Sequence, residues 1–309
     1  MTERARRRTA AIVAVSATTV VWGSVGVFVK TTSISGLTFA MYRLWLGAAV
    51  HVVALLVLRR RLTWSTFKVC APGGVLFAME ISLSFSAVKL TAVANAAIIG
   101  ALSPILIVLA AGRMFGERVT REQMVLVVAS FAGVVIVAIG ASGSPAWSPA
   151  GDLLALVGSF AWTAYWLFSK RARASASALE YMTSVMLVGA LAITPVALAI
   201  GGVPPASLDI HDAVVLAGLT LVPGMIGHLL LAWSHRHVEA WLSALITQCV
   251  PVIGALMAWP VLGEPITPIV ALGGLVVVGA TGAIVVSSAR RERDRAQPSK
   301  VEPVIDVPA

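Results

Sequence analysis

Two ionisable side chains stand where hydrocarbon should surround them. Glu80 follows Lys68 by twelve residues and precedes Lys89 by nine in an otherwise apolar run. A helix would hold its carboxyl about 18 Å from one end and about 13 Å from the other. A carboxylate that deep costs on the order of 3 kcal/mol even on lenient insertion scales, so it must be neutral, paired or facing water. The bland reading is a protonated acid bonded to a neighbouring helix; the chemical one is a group that titrates or binds a cation. His228, also well inside an apolar run, can change charge near neutral pH. The rise per residue sets it at a different depth from Glu80, so water or substrate is expected between them rather than a direct hydrogen bond. Arg43 falls about 9 Å inside its run, close enough to snorkel, yet able to hold a carboxylate or a helix end if it faces a cavity. Trp22, Trp162 and Tyr165 sit away from run ends, as flat walls of a pocket or as plain packing. Gln248 and Asn95 are weaker pocket candidates.

The elements that carry these residues follow from composition. The chain is 58% hydrophobic and only 12% charged, against roughly 25% charged in soluble domains. Runs long enough to cross ~30 Å of hydrocarbon recur along its whole length. The expected fold is all-α and membrane-embedded, with ten transmembrane helices near residues 10–30, 37–58, 69–88, 91–113, 121–140, 150–169, 179–200, 212–233, 240–262 and 267–288. Turn-rich residues fill 31–36, 141–149 and 201–209, and the charged, proline-bearing tail has no apolar face and reads as disordered.

One stretch occurs twice. Ala97 to Thr120 and Ala244 to Thr267 align without a gap at an offset of 147 residues, sharing the prolines Pro104 and Pro251, the pairs Gly116-Glu117 and Gly263-Glu264, and the closing Thr120 and Thr267. The same offset maps Glu80 to Gly227, beside His228. The chain therefore divides into a basic N-terminus (1–9), a first five-helix repeat (10–140), a linker (141–149), a second repeat (150–288) and a tail (289–309). With the N-terminus inside, 20 of the 23 Lys and Arg lie on the inner side, which predicts both termini in the cytoplasm and an inner (plasma) membrane location. The same bias accounts for the +9 net charge without a nucleic-acid partner. Five helices per repeat is odd, so the repeats must be inverted, with a pseudo-twofold axis in the membrane plane.

Pro104 and Pro251 each interrupt an apolar helix and are candidate hinges, or packing kinks only. Glu117 and Glu264, just before the next helix, are expected to cap its N-terminus. Cys70 and Cys249 read as small apolar fillers. Gly273, Gly274, Gly279 and Gly282 offer close packing or a homodimer contact. The sequence holds no GxxxxGK[ST] loop, no HExxH and no Cys/His cluster, so neither a cofactor nor a metal is expected.

Trp22-Gly23-Ser24 with Lys30, Arg43 and the two Pro…Gly-Glu segments resemble the EamA-type family of the drug/metabolite transporter superfamily. The likeness covers nearly the whole chain and is most specific over residues 211–286. It implies ten helices in two inverted repeats and transport, usually efflux, of small metabolites; it does not identify a substrate. Together with Glu80 and His228, it suggests a proton-coupled exporter of an amino-acid-like metabolite or amphipathic compound, working by alternating access. The cavity would be lined by helices one, two, three, six and eight with four and nine. Two alternatives stand beside this: an uncoupled facilitator or importer, and an intramembrane enzyme acting on a lipid-linked substrate. The enzyme reading lacks a cluster of acid, base and nucleophile on one face.

Overall fold

A computed structural model describes residues 3–91, 93–141, 148–201, 207–263 and 265–296. Ten helical rods run through it: α1 (Ala5–Thr31), α2 (Gly36–Val57), α3 (Trp64–Leu90), α4 (Asn95–Phe115), α5 (Arg121–Ala141), α6 (Pro149–Ala172), α7 (Ala178–Gly201), α8 (Ile210–Ser234), α9 (Ala240–Leu262) and α10 (Pro268–Arg290). Nine of them are long and apolar enough to cross a membrane. The other, α6, has the length, about 36 Å, but its Ser, Thr, Tyr and Trp residues lower its mean hydropathy. Those residues face inward: Ser159, Thr163, Tyr165, Trp166 and Ser169 are all buried. The last helix continues to Ala296, past the expected end at 288, because Arg, Glu and Ala are good helix formers. The linker at 142–147, the tail beyond 296 and Glu264 lie outside the described residues.

The packing reproduces the duplication. Helix α3 lies along α6 while α1 lies along α8, which is the same pair exchanged between repeats. Each of α5 and α2 packs on its own counterpart, α10 and α7 respectively. Two counterparts in contact must straddle the axis that relates them. The α5–α10 seam is tight: a methyl added to Gly133 would stand 2.9 Å from the Gly273 carbonyl oxygen, so the absence of side chains there lets the backbones meet.

The two rods that carry the duplicated prolines Pro104 and Pro251 break at matching places. α4 loses its helical path at Ala101, between segments Val93–Gly100 and Leu102–Phe115. α9 tightens into a 3-10 turn at Thr247–Cys249. Each break falls within one turn before its proline, where the ring collides with the carbonyl four residues back and the missing N–H leaves it without a donor. Side chains answer the loosened carbonyls: Ser159 Oγ donates to Ile99 O at 3.2 Å and Gln248 Nε2 to Ala101 O at 3.3 Å. A third irregularity was not foreseen. Around Pro223, α8 widens into a π-helical segment, Thr220–Gly227.

Two cores result. One fills the space among α2, α3, α6, α7 and α8 with Phe39, Leu44, Phe77, Ile81, Tyr165, Tyr181 and Met186. The other, built on Val15, Ile107, Ala111, Trp166, Leu231, Leu242 and Ile284, closes the end of the bundle that carries the N-terminal arginines.

Candidate functional site

Between the repeats lies a cavity of about 490 Å³. Its walls come from α1, α3, α4, α5, α6 and α9. It reaches from Trp22, Glu80 and Trp162 to Lys30, Ala141 and Leu262, at the helix ends remote from the N-terminal arginines. The expected lining by α2 and α8 is not found, because both pack behind α3 and α1 in the first core; the contribution of α5, through Val137, Ala138 and Ala141, was not anticipated.

Glu80 lines the cavity and accepts a hydrogen bond from Ser84 Oγ one turn along, at 2.9 Å. It is the one acid on the cavity wall among the described residues, and Lys30, at the mouth, is the one base. Trp22 and Trp162 stand edge to face with ring centres 5.5 Å apart. Pro104, Pro251 and Gln248 are also on the wall, whereas Asn95 is not; its amide reaches Thr91 Oγ1 at 3.5 Å.

Three other candidates lie behind the wall. His228, 5% exposed, is enclosed by the rings of Trp22 (4.7 Å), Phe77 (4.8 Å) and Trp162 (6.2 Å), and its Nδ1 has no partner among the described residues. No hydrogen bond joins it to Glu80. Tyr165 stacks on Trp162 at 5.4 Å and is buried with Tyr181 in the first core. Arg43, also 5% exposed, covers the Phe85 ring at 5.2 Å. It lies so close to the π-helical segment that a methyl on Gly224 would be 3.3 Å from its Nε, within electrostatic reach of Glu80.

Helix α1 clasps the widened part of α8. Trp22 Nε1 donates to Pro223 O at 3.0 Å and Thr18 Oγ1 to Gly227 O at 3.1 Å. Irregular backbone at membrane depth is tolerated where other groups satisfy it, and here two side chains of one helix do so. The crossing of α1 over α9 is also close: a methyl on Gly23 would sit 2.4 Å from Ile253 Cβ.

The arginine-bearing end is sealed. Glu117 does not cap the helix that follows it. Thr120 serves there, accepting from Gln123 N at 3.3 Å, and Thr267 does the same for α10, accepting from Val270 N at 3.3 Å. The Glu117 carboxylate instead spans to the other repeat, accepting from Ala240 N (3.0 Å) and Trp241 N (3.3 Å) at the start of α9 and pairing with Lys170 Nζ (3.0 Å). Lys170 also donates to Val238 O at 2.7 Å, and Arg8 pairs with Glu239 at 2.9 Å. Free N–H groups and the helix dipole hold a carboxylate at an N-terminus whatever helix supplies it. Sequence spacing pointed to the nearest helix; the fold supplied a distant one.

Two contacts locate the axis. Gln248 and Ala101 are counterparts at the 147-residue offset, and they touch. Trp22 and Trp162 each stand eight residues before a lysine, in the first helix of their repeats, and they touch as well. The cavity therefore lies on the pseudo-twofold axis, open toward one end and closed toward the other by a packed core and a carboxylate latch.

An axial cavity between inverted five-helix repeats is the architecture of a membrane transporter class. The family comparison narrows this: a profile of the EamA-like transporter family matches residues 9–139 and 149–286, and the chain belongs to that family. A Bacillus subtilis (strain 168) protein described as the uncharacterized transporter YyaM is 24% identical over 201 residues, spanning 64% of this chain and 66% of that protein. A solved crystal structure superposes with a TM-score of 0.76 at 20% identity, over 92% of this chain and 99% of its own, a likeness of fold alone. Family and relative both point to transport rather than to catalysis.

Proposed function

We propose that this transporter exports a small amphipathic compound bearing a positively charged amine, exchanging it for protons at Glu80 by alternating access. The observation that carries the reading is the cavity's charge pattern: one acid deep in the wall beside two tryptophans, with its one base at the mouth. A carboxylate and aromatic faces together suit an ammonium group with an apolar body. A zwitterionic amino acid would also need a deep cation for its carboxylate, and Arg43 is behind the wall. Amine and proton compete for a single carboxylate, so an inward proton gradient drives the amine outward. The arginine-rich end would face the cytoplasm, which makes the cavity described above the outward-facing one.

The test is counterflow of a radiolabelled arylalkylamine in proteoliposomes, with and without a pH gradient. Wild type should accelerate with the gradient, and Glu80→Gln should abolish that acceleration. Gradient-stimulated flux that survives in Glu80→Gln, or uptake of a zwitterion in preference to its amine, would overturn the assignment.

A further inference from the structure

At the sealed end, a second hollow of about 820 Å³ opens between the C-terminal ends of α4 and α6 and the turn joining α8 to α9. Met114 and Phe115 form its apolar side, and Lys170, Arg171, His235 and Arg236 its polar side. No acid lines it among the described residues. Arg171 and Arg236 are exposed, and neither has an ion pair among the described residues. His235 is 2% exposed; its Nδ1 meets Ser169 Oγ at 2.9 Å while its Nε2 has no partner among the described residues.

Burial and the crowding of positive charge act together on the neighbours. Burial first, then Lys170 and Arg173, keep the His235 imidazole well below its usual titration range. Burial and then Arg236 bring Arg173 down to about 10. Like charges gathered from two elements repel one another, and Glu117, at one edge, is already held by Lys170 and α9. The buried His235 Nε2, which lacks a partner among the described residues, the exposed guanidinium groups of Arg171 and Arg236 and the Lys170 ammonium together make a site of planar forks and strong positive charge, which matches tetrahedral phosphate oxygens. The apolar side, with Met114 49% exposed, matches a group attached to hydrocarbon.

We infer that this hollow binds a phosphate group through Lys170, Arg171, His235 and Arg236. Because Lys170 also closes the latch, a bound phosphate draws on the ammonium that Glu117 holds. Occupancy and closure of this end are thereby linked, each altering the other by the same factor.

The experiment uses purified full-length protein in nanodiscs of phosphatidylcholine, with phosphatidylglycerol titrated in and retained lipid counted by native mass spectrometry. Parallel samples receive inorganic phosphate, followed by thermal shift. Basic residues near a membrane surface contribute roughly fivefold each in affinity, so Arg171→Ala with Arg236→Ala should weaken phosphatidylglycerol retention about 25-fold. The pair Arg59→Ala with Arg60→Ala, which removes the same charge from another loop, should change it less than about threefold, and Arg171→Lys with Arg236→Lys, which keeps the charge but loses the forks, should fall between the two. Retention of phosphatidylglycerol alone assigns the site to a lipid headgroup; stabilisation by inorganic phosphate that the double alanine variant loses assigns it to the free ion. Equal loss in both alanine pairs, or no phosphate-bearing ligand retained by wild type, overturns the inference.

Discussion

Removing the Glu117 carboxylate is the sharpest way to ask whether the arginine-bearing end is held shut by a latch. In Glu117→Ala, Ala240 N and Trp241 N lose their acceptor, and Lys170, whose side chain is 16% exposed, loses its counter-ion. Single charge-assisted bonds are worth about 1.5 to 3 kcal/mol, and breaking a buried pair costs about 3 to 5 kcal/mol. The three contacts share one carboxylate, so they do not add. A combined shift of about 3 kcal/mol against the sealed arrangement is reasonable, or roughly 140-fold in its ratio to an open one. The assay is the rate at which a bulky water-soluble maleimide labels Ala111→Cys, in a background where Cys70 and Cys249 are replaced. Ala111 is fully buried in the core behind the latch, so labelling requires that core to part. We expect at least a tenfold faster rate in Glu117→Ala, a smaller rise in Glu117→Gln, and only a few-fold rise in Arg8→Ala, since Glu239 is 39% exposed and surface pairs are weak. An unchanged rate in a folded Glu117→Ala protein would refute the reasoning.

Three further outcomes follow. Trp22→Phe removes the donor to Pro223 O and should lower Tm by a few degrees, corresponding to about 1 kcal/mol; an unaltered Tm would mean water replaces the indole. Gly23→Ala should cost about 1 to 3 kcal/mol by overpacking against Ile253, and Ile253→Ala should recover most of it, as a double-mutant cycle of Tm values would report. His235 is held neutral in the folded chain, whereas the unfolded chain protonates it below about pH 6.5. The unfolded state therefore binds more protons as pH falls, and stability should drop by up to about 1.4 kcal/mol per pH unit below that point. His235→Asn should flatten this slope in denaturation series between pH 7 and 5; a slope equal to wild type would assign it to other groups.

What the sequence conveyed well was order. The duplicated Pro…Gly-Glu stretch announced two five-helix repeats, and the folded chain packs as such a pair. What it conveyed poorly was azimuth. Helices such as α2 and α8 are apolar on nearly every side, so no stripe tells whether Arg43 or His228 points at the cavity or away from it, and both proved to be behind the wall. The latch was misassigned for a related reason. Glu117 precedes α5 in sequence, but its acceptor oxygens find the free N–H groups of α9, a neighbour only the folded packing creates. The π-helical turn had a visible signal in Pro223-Gly224, yet the α1 side chains that make it tolerable come from two hundred residues away.

The Gln248–Ala101 contact carries a last implication. In the alternating-access cycle proposed above, counterpart positions on a twofold axis are interchanged, yet glutamine has an amide to donate and alanine has none. The hydrogen bond present in this arrangement has no mirror image in the reverse one. In the proposed cycle this inequality favours the arrangement that holds the bond over its reverse. Reciprocal replacement, Ala101→Gln with Gln248→Ala, would move that bias to the opposite side.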